Sequence, residues 1–374
     1  MERLQEEHEG EEETSNKPAD SPYDQQAMRA WSPLLTPWRA ASGYLLIGLI
    51  FVPLGAVLWQ DADDTVEMRF QYDGDGSDGN QCEISTYKEG KSCNVSFEVA
   101  EDMAGPVYVY YELDNFYQNH ATYVVSVDDD QLQGSLTTSS SCSPLQYSGT
   151  AKLHPCGVIA NSLFNDVFDI SSGQTMDETD IAWNSDVAEK FSQPDGFVSS
   201  ACDGNVTCAE CLAAADLTDS EGGTTFADCG NYTDANGEEY AYYYPEEDEY
   251  QYLYETFPEV ISPLDGVMDE HFIVWMRISG LSKFRKLYGR IEDGLSAGDT
   301  ITFNITANYV VTFFDGTKSI VISTTGSLGG RNPYWGQSMP AIGAVALLLA
   351  LVLALKFKFS PREMGDITKL LDST

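Results

Sequence analysis

An uncharged apolar run, Ala40 to Trp59 (AASGYLLIGLIFVPLGAVLW), constrains this chain more than any other feature. No charged residue lies between Arg39 and Asp61. About twenty apolar residues cross the roughly 30 Å hydrocarbon core of a bilayer, so the run reads as a membrane helix. Arg29 and Arg39 precede it, and no small-residue cleavage pattern closes it. It is therefore expected to be an uncleaved signal-anchor, not a removable signal peptide.

A second uncharged run, Tyr334 to Leu355, is followed directly by Lys356, Lys358 and Arg362. Basic residues thus lie before the first run and after the second, while Asp61, Asp63 and Asp64 follow the first. The positive-inside rule then puts both termini in the cytosol. The expected domains are a cytosolic tail (1–39), a first helix (40–59), an exoplasmic domain (60–333), a second helix (334–355) and a cytosolic tail (356–374).

All eight cysteines (Cys82, Cys93, Cys142, Cys156, Cys202, Cys208, Cys211, Cys229) fall within 60–333. An even count confined to the non-cytosolic segment points to disulfides formed in an oxidising compartment. Sequons at Asn94, Asn205, Asn231 and Asn304 lie on the same side and are candidate N-glycosylation sites. A lone C-x-x-C, Cys208 and Cys211, lacks the second pair that a zinc ribbon needs. Spacing alone leaves three connectivities open for the last four cysteines.

The net charge of −39 resides almost wholly between the tails, where 47 acidic face 12 basic residues. Such a surface repels phosphate backbones and excludes nucleic-acid binding.

Residues 1–22 are acidic and poor in large apolar residues, and are expected to be disordered. Residues 23–38 carry Trp31 and Trp38 beside basic residues, which suits an interfacial anchor or a docking segment for a partner. The loop DGDGSDGN from Asp73 resembles a calcium loop, but its sixth and twelfth positions are Asp78 and Ile84 where an EF-hand needs Gly and Glu. Strands are expected over 65–72, 107–113, 123–127, 300–314 and 318–324, in an antiparallel sheet joined by turns. Residues 157–168 are apolar enough to be buried, and 201–250 read as a disulfide-stapled surface excursion. Over 281–291, Phe284, Leu287, Tyr288 and Ile291 fall at helical spacing. Lys283, Arg285, Lys286 and Arg290 lie opposite them, as a basic face for solvent, lipid headgroups or an acidic partner.

Catalytic, cofactor and metal motifs are missing. His8, His120, His154 and His271 are scattered, with no H-E-x-x-H, G-x-S-x-G, phosphate loop or dinucleotide fingerprint. Nothing singles out two carboxylates as a glycosidase pair. A trimeric two-helix ligand-gated channel would share the topology, but Ala341 to Leu355 holds no polar residue for a pore.

Several blocks nevertheless resemble the cell division control protein 50 (transmembrane protein 30) family. They include Gln25-Gln26 with Trp31-Ser32-Pro33, and Phe51-Val52-Pro53-Leu54-Gly55 of the first helix. Tyr110 through His120, Pro155-Cys156-Gly157 through Asp166, and Ile181-Ala182-Trp183 follow. Phe272 through Arg277, Phe284 through Tyr288, Gly316-Thr317-Lys318 and Leu328 through Pro333 complete the series. The likeness covers nearly the whole chain and thins over 201–254, where four further cysteines stand.

The resemblance implies two transmembrane helices flanking one large antiparallel β-sandwich with helical excursions, bridged by Cys82–Cys93 and Cys142–Cys156. It implies a non-catalytic, cofactor-free β-subunit that stabilises a type IV P-type ATPase, carries it from the endoplasmic reticulum and supports inward phospholipid transport. The absence of a D-K-T-G-T phosphorylation motif agrees. The expected partner-facing residues are Gln25, Gln26 and Trp31 before the first helix, and Gly48, Pro53, Gly343, Ala346 and Ala350 within the helices. Small residues there let helices approach closely.

Overall fold

A computed structural model describes residues 20–28, 36–74, 82–137, 140–202, 206–218, 222–223, 226, 228–326 and 329–361. Residues 1–19 of the acidic tail, 75–80 of the aspartate-glycine loop, Trp31 and Asn205 lie outside these residues. One compact unit spans Leu58–Gly336, and the other holds the remaining parts of the two long helices.

Those helices are α1 (Pro37–Asp64) and α8 (Pro333–Phe359), the two in the described chain long and apolar enough to cross a membrane. Between them, among the described residues, run six short α-helices. They are α2 (Ala121–Val124), α3 (Asp129–Leu132), α4 (Asn184–Glu189), α5 (Cys208–Ala214), α6 (Leu253–Thr256) and α7 (Glu270–Met276).

The domain core lies between two sheets. The first, in order β1-β13-β3-β11, joins Glu67–Asp73, Thr317–Ser323, Val107–Asp114 and Phe284–Ile291, all antiparallel. The second, β2-β12-β6, joins Lys91–Glu98, Thr300–Ala307 and Val167–Ile170. Alternation decides which side chains turn inward. Lys318, Ile320 and Ile322 of β13 stand opposite Leu113, Tyr111 and Val109, while Val95 and Cys93 of β2 stand opposite Phe303 and Ile305 of β12. Phe70 stacks on Phe97 across the gap and Phe97 on Phe303. This is the expected sandwich.

Two smaller sheets lie outside it. β4 (Tyr147–Ser148), β5 (Ala151–His154) and β10 (Tyr250–Tyr252) include one parallel pairing, β5 with β10, where only antiparallel pairs were expected. β7 (Val198–Cys202), β9 (Glu239–Tyr243) and β8 (Gly230–Thr233) form the excursion with α5, around Leu212, Phe226 and Ala241.

Three local expectations are corrected. The 281–291 segment is not a helix but strand β11. A bulge between Leu287 and Gly289 shifts its alternation by one residue, so Phe284, Tyr288 and Ile291 all turn inward. One extra residue in a period of two thus imitates helical spacing. Tyr123 lies in the helical turn α2, not a strand, packed edge-on against Phe116. Finally, β12 ends at Ala307, because Asp166 Oδ1 accepts the backbone N–H groups of Asn308 (2.6 Å) and Tyr309 (2.7 Å) and turns the chain away.

Candidate partner-binding and modification sites

The small residues of the long helices lie where α1 and α8 meet. A Cβ at Gly48 would come within 2.4 Å of Leu347 Cγ and 3.0 Å of Gly343 O, and one at Gly55 within 2.3 Å of Pro340. Nearer the domain, Gly336 lies against the backbone of Trp59. Ala346 and Ala350 are buried, in helices whose apolar side chains are otherwise mostly exposed. Gly48, Gly343, Ala346 and Ala350 therefore serve the pairing of the two helices with each other. Pro53, by contrast, is exposed together with Leu45, Leu49, Leu54 and Val57. Trp38 packs edge-on against Phe357 near the far ends of the pair.

Gln25 and Gln26 occupy an exposed turn, with Gln26 at φ 53°. This puts their side chains in reach of a partner but makes no site by itself.

The basic residues of β11 and its approach have partners inside the domain. Glu112, only 3% exposed, draws three cations: Arg69 Nε at 2.6 Å, Lys283 at 3.3 Å and Arg285 at 3.4 Å. Arg285 also grips Glu67 through both terminal nitrogens (2.7 and 3.2 Å). Lys286 is buried and closes the C-terminus of α7, donating to the carbonyls of Val274, Trp275 and Arg277. Burial, and then the Arg277 charge, pull its ammonium down to about 8. Arg290 pairs with Asp177 and Glu292. The surface expected to meet lipid or an acidic partner is thus engaged within the fold.

Sequence reading missed a buried ion cluster at the start of β13. Lys318 lies enclosed between Asp73 and Asp166, and Asp166 also accepts the Tyr72 hydroxyl at 2.8 Å. The one prior signal was a lone lysine in an otherwise uncharged strand.

No catalytic constellation is assembled among the described residues. His154 is buried, with its Nε2 3.0 Å from Ser135 O, and burial lowers its affinity for a proton. His271 meets Glu178 at 2.9 Å across the Tyr288 ring. Burial alone would lower its pKa, but the Glu178 hydrogen bond and the charges of Asp269, Glu178 and Glu270 raise it overall. Neither histidine faces a nucleophile. One described group, Asp128, Cys142 and Cys156, has metal-ligand proximity, but its two sulfurs form a disulfide.

Cys82 is joined to Cys93 and Cys142 to Cys156. Among the three open connectivities the structure has Cys202–Cys211 and Cys208–Cys229, so the C-x-x-C cysteines bond outward and not to each other. Asn94 and Asn304 face each other across β2 and β12 on the sheet's outer side, and Asn231 is exposed on β8.

Two open cavities stand out. One of about 450 Å³ beside α7 is lined by Val124, Phe191, Met276, Arg277 and Ile278. Another of about 290 Å³ lies between the end of α1 and the start of α8.

Residues 58–363 match the model of the LEM3 (ligand-effect modulator 3) family / CDC50 family. The chain is 33% identical to ALA-interacting subunit 3 of Arabidopsis thaliana, over 94% of this chain and 89% of that protein. It is 32% identical to cell cycle control protein 50A of Mus musculus, over 91% and 88% of the two. With the phospholipid-transporting ATPase accessory subunit CRF1 of Saccharomyces cerevisiae it shares 28% identity, over 94% and 88%.

Proposed function

The chain belongs to the LEM3/CDC50 family, and from that premise we propose that it is the non-catalytic accessory subunit of a phospholipid-translocating P-type ATPase. The observation that carries this reading is similarity running through both long helices and the intervening domain to proteins named as interacting or accessory subunits, one of them of a phospholipid-transporting ATPase. In this reading the partner is a type IV ATPase catalytic subunit. ATP hydrolysis and lipid translocation sit on that partner. This chain stabilises it and accompanies it out of the endoplasmic reticulum to the Golgi, endosomes or plasma membrane.

Both termini are then cytosolic, and the 60–333 domain is exoplasmic, as the charge asymmetry around the two runs supports. Asn94, Asn205, Asn231 and Asn304 are its glycan acceptors. The partner is held by the exposed faces of the helix pair, around Pro53, and by the segment containing Gln25, Gln26 and Trp31. Gly48, Gly343, Ala346 and Ala350 contribute by keeping the pair together.

Purification of the tagged full chain in mild detergent is expected to bring down a large P-type ATPase in equimolar amount. A preparation free of any ATPase would refute the reading. Enzymatic removal of N-glycans is expected to lower the mass by several chains; an unchanged mass would reverse the assigned orientation.

A further inference from the structure

The cavity between the helix ends has a composition that the pairing of α1 with α8 does not require. Its walls are Leu58, Asp61 and Thr65 from the end of α1, and Gly330, Asn332 and Trp335 at the start of α8. These residues flank the inner ends of both apolar runs, at Trp59 and Tyr334. In a membrane-spanning pair that position is the headgroup level of the leaflet facing the domain. The cavity therefore opens where phospholipid headgroups stand.

Its chemistry favours a cation beside a phosphate. Asp61 places a carboxylate in the wall, and Asp63 and Asp64 are exposed on the same helix end. Trp335, 58% exposed, also lines the cavity. A carboxylate beside an indole attracts an ammonium, both by charge and through the ring quadrupole. The lining also includes Asn332 and Gly330, and a side-chain amide and a backbone N–H are donors suited to a phosphate. Arg331, exposed, stands between these two in the chain. Leu58 and Ala62 add apolar lining.

We propose that this cavity binds the headgroup of a zwitterionic phospholipid, its ammonium between Asp61 and Trp335 and its phosphate toward Gly330 and Asn332. The site depends on the two helices spanning a bilayer and not on the identity of the partner. A tryptophan serving only as an interfacial anchor would be indifferent to headgroup charge and to Asp61.

The test uses the full chain without an ATPase, in nanodiscs of equal phosphatidylcholine and phosphatidylglycerol. Lipid retained after extraction is counted by native mass spectrometry. Phosphatidylcholine is expected to be retained over phosphatidylglycerol by about tenfold, the order of discrimination that a desolvated cation–aromatic contact supplies. Asp61→Asn and Trp335→Leu should each bring the two lipids close to parity, whereas Asp61→Glu, which keeps the charge, should preserve the preference. Tyr334→Leu, outside the cavity, should also preserve it and controls for general damage. Equal retention of both lipids by the unaltered chain overturns the proposal. So does an excess of phosphatidylglycerol, or a preference that survives Asp61→Asn. Because no ATPase is present, any of these results leaves the accessory-subunit reading to stand or fall on co-purification.

Discussion

Lys318 Nζ lies 2.8 Å from Asp166 Oδ2, with both side chains wholly enclosed. Asp73 Oδ2 is 3.1 Å away on the other side, and the same ammonium donates to Tyr309 O at 2.6 Å. One lysine thus ties β1, β13, the approach to β6 and the turn after β12. Removing one member of a buried ion cluster leaves the others charged and unpaired, at a cost of about 3–5 kcal/mol. Lys318→Met is expected to lower the unfolding midpoint of the purified chain steeply. Adding Asp73→Asn should restore part of the loss, since one uncompensated carboxylate is then gone. An unchanged midpoint for Lys318→Met would show that the cluster contributes nothing net.

The contact between Gly48 and Gly343 leads to a test of the helix pair. Leucine at Gly48 has no room against Leu347, so α1 and α8 must separate or rotate. Cysteines placed at Trp38 and Phe357, whose rings touch across the pair, should be bridged readily by a short bis-maleimide in the otherwise unaltered chain and poorly with Gly48→Leu. Membrane insertion should be unaffected, because the substitution adds apolar surface. Recovery of the ATPase should fall with the cross-link; full recovery would mean that the partner does not sense the pairing.

Cys142 and Cys156 are both fully buried, with a closed loop between them. Opening such a loop typically costs about 2–4 kcal/mol. Cys142→Ser is expected to be retained in the endoplasmic reticulum with immature glycans. Delivery to the surface at the usual level would contradict this.

His154, buried, and His271, partly buried, should respond to acid in opposite ways. His154 is held neutral, its pKa below the ordinary value, so its contribution is present above about pH 6.5 and lost as the pH falls. His271 has a raised pKa, so its contribution is complete below about pH 6.5 and lost as the pH rises through the folded value. Unfolding midpoints across this range should therefore show the gap to His271→Gln widening in acid. The gap to His154→Gln should narrow. Parallel profiles for all three proteins would exclude both contributions.

What could be read from the sequence follows the period of each segment. The helices were legible because twenty uncharged residues admit few alternatives, and β3 and β13 because β-branched runs have little other use. Segment 281–291 was misread because the bulge at Tyr288 adds one residue to an alternating pattern, and no local signal distinguishes that from a helical face. Tyr123 to Val127 has strand propensity, but Asp128 caps the next turn through the N–H groups of Asp130 and Gln131, and inward packing of Tyr123 decides the rest. The charge clusters at Glu112 and Lys318 were invisible. Their members come from segments far apart in the chain, from 43 residues for Arg69 and Glu112 to 245 for Asp73 and Lys318, and only the folded register brings them together. The small residues of the helices announced a close contact, but composition could not say that each helix's nearest neighbour is the other.

The first and last strands of the domain, β1 and β13, are hydrogen-bonded neighbours, and Glu67, just beyond α1, stands opposite Ser323, shortly before the chain enters α8. Mechanically this is a zipper with its open end at the helices. A force that spreads the two helices loads the Val66–Thr324 hydrogen bonds first, then the Glu67–Ser323 rung and the rungs beyond it singly, never the whole ladder at once. The domain is therefore stiff against sliding of one helix along the other and compliant against their separation.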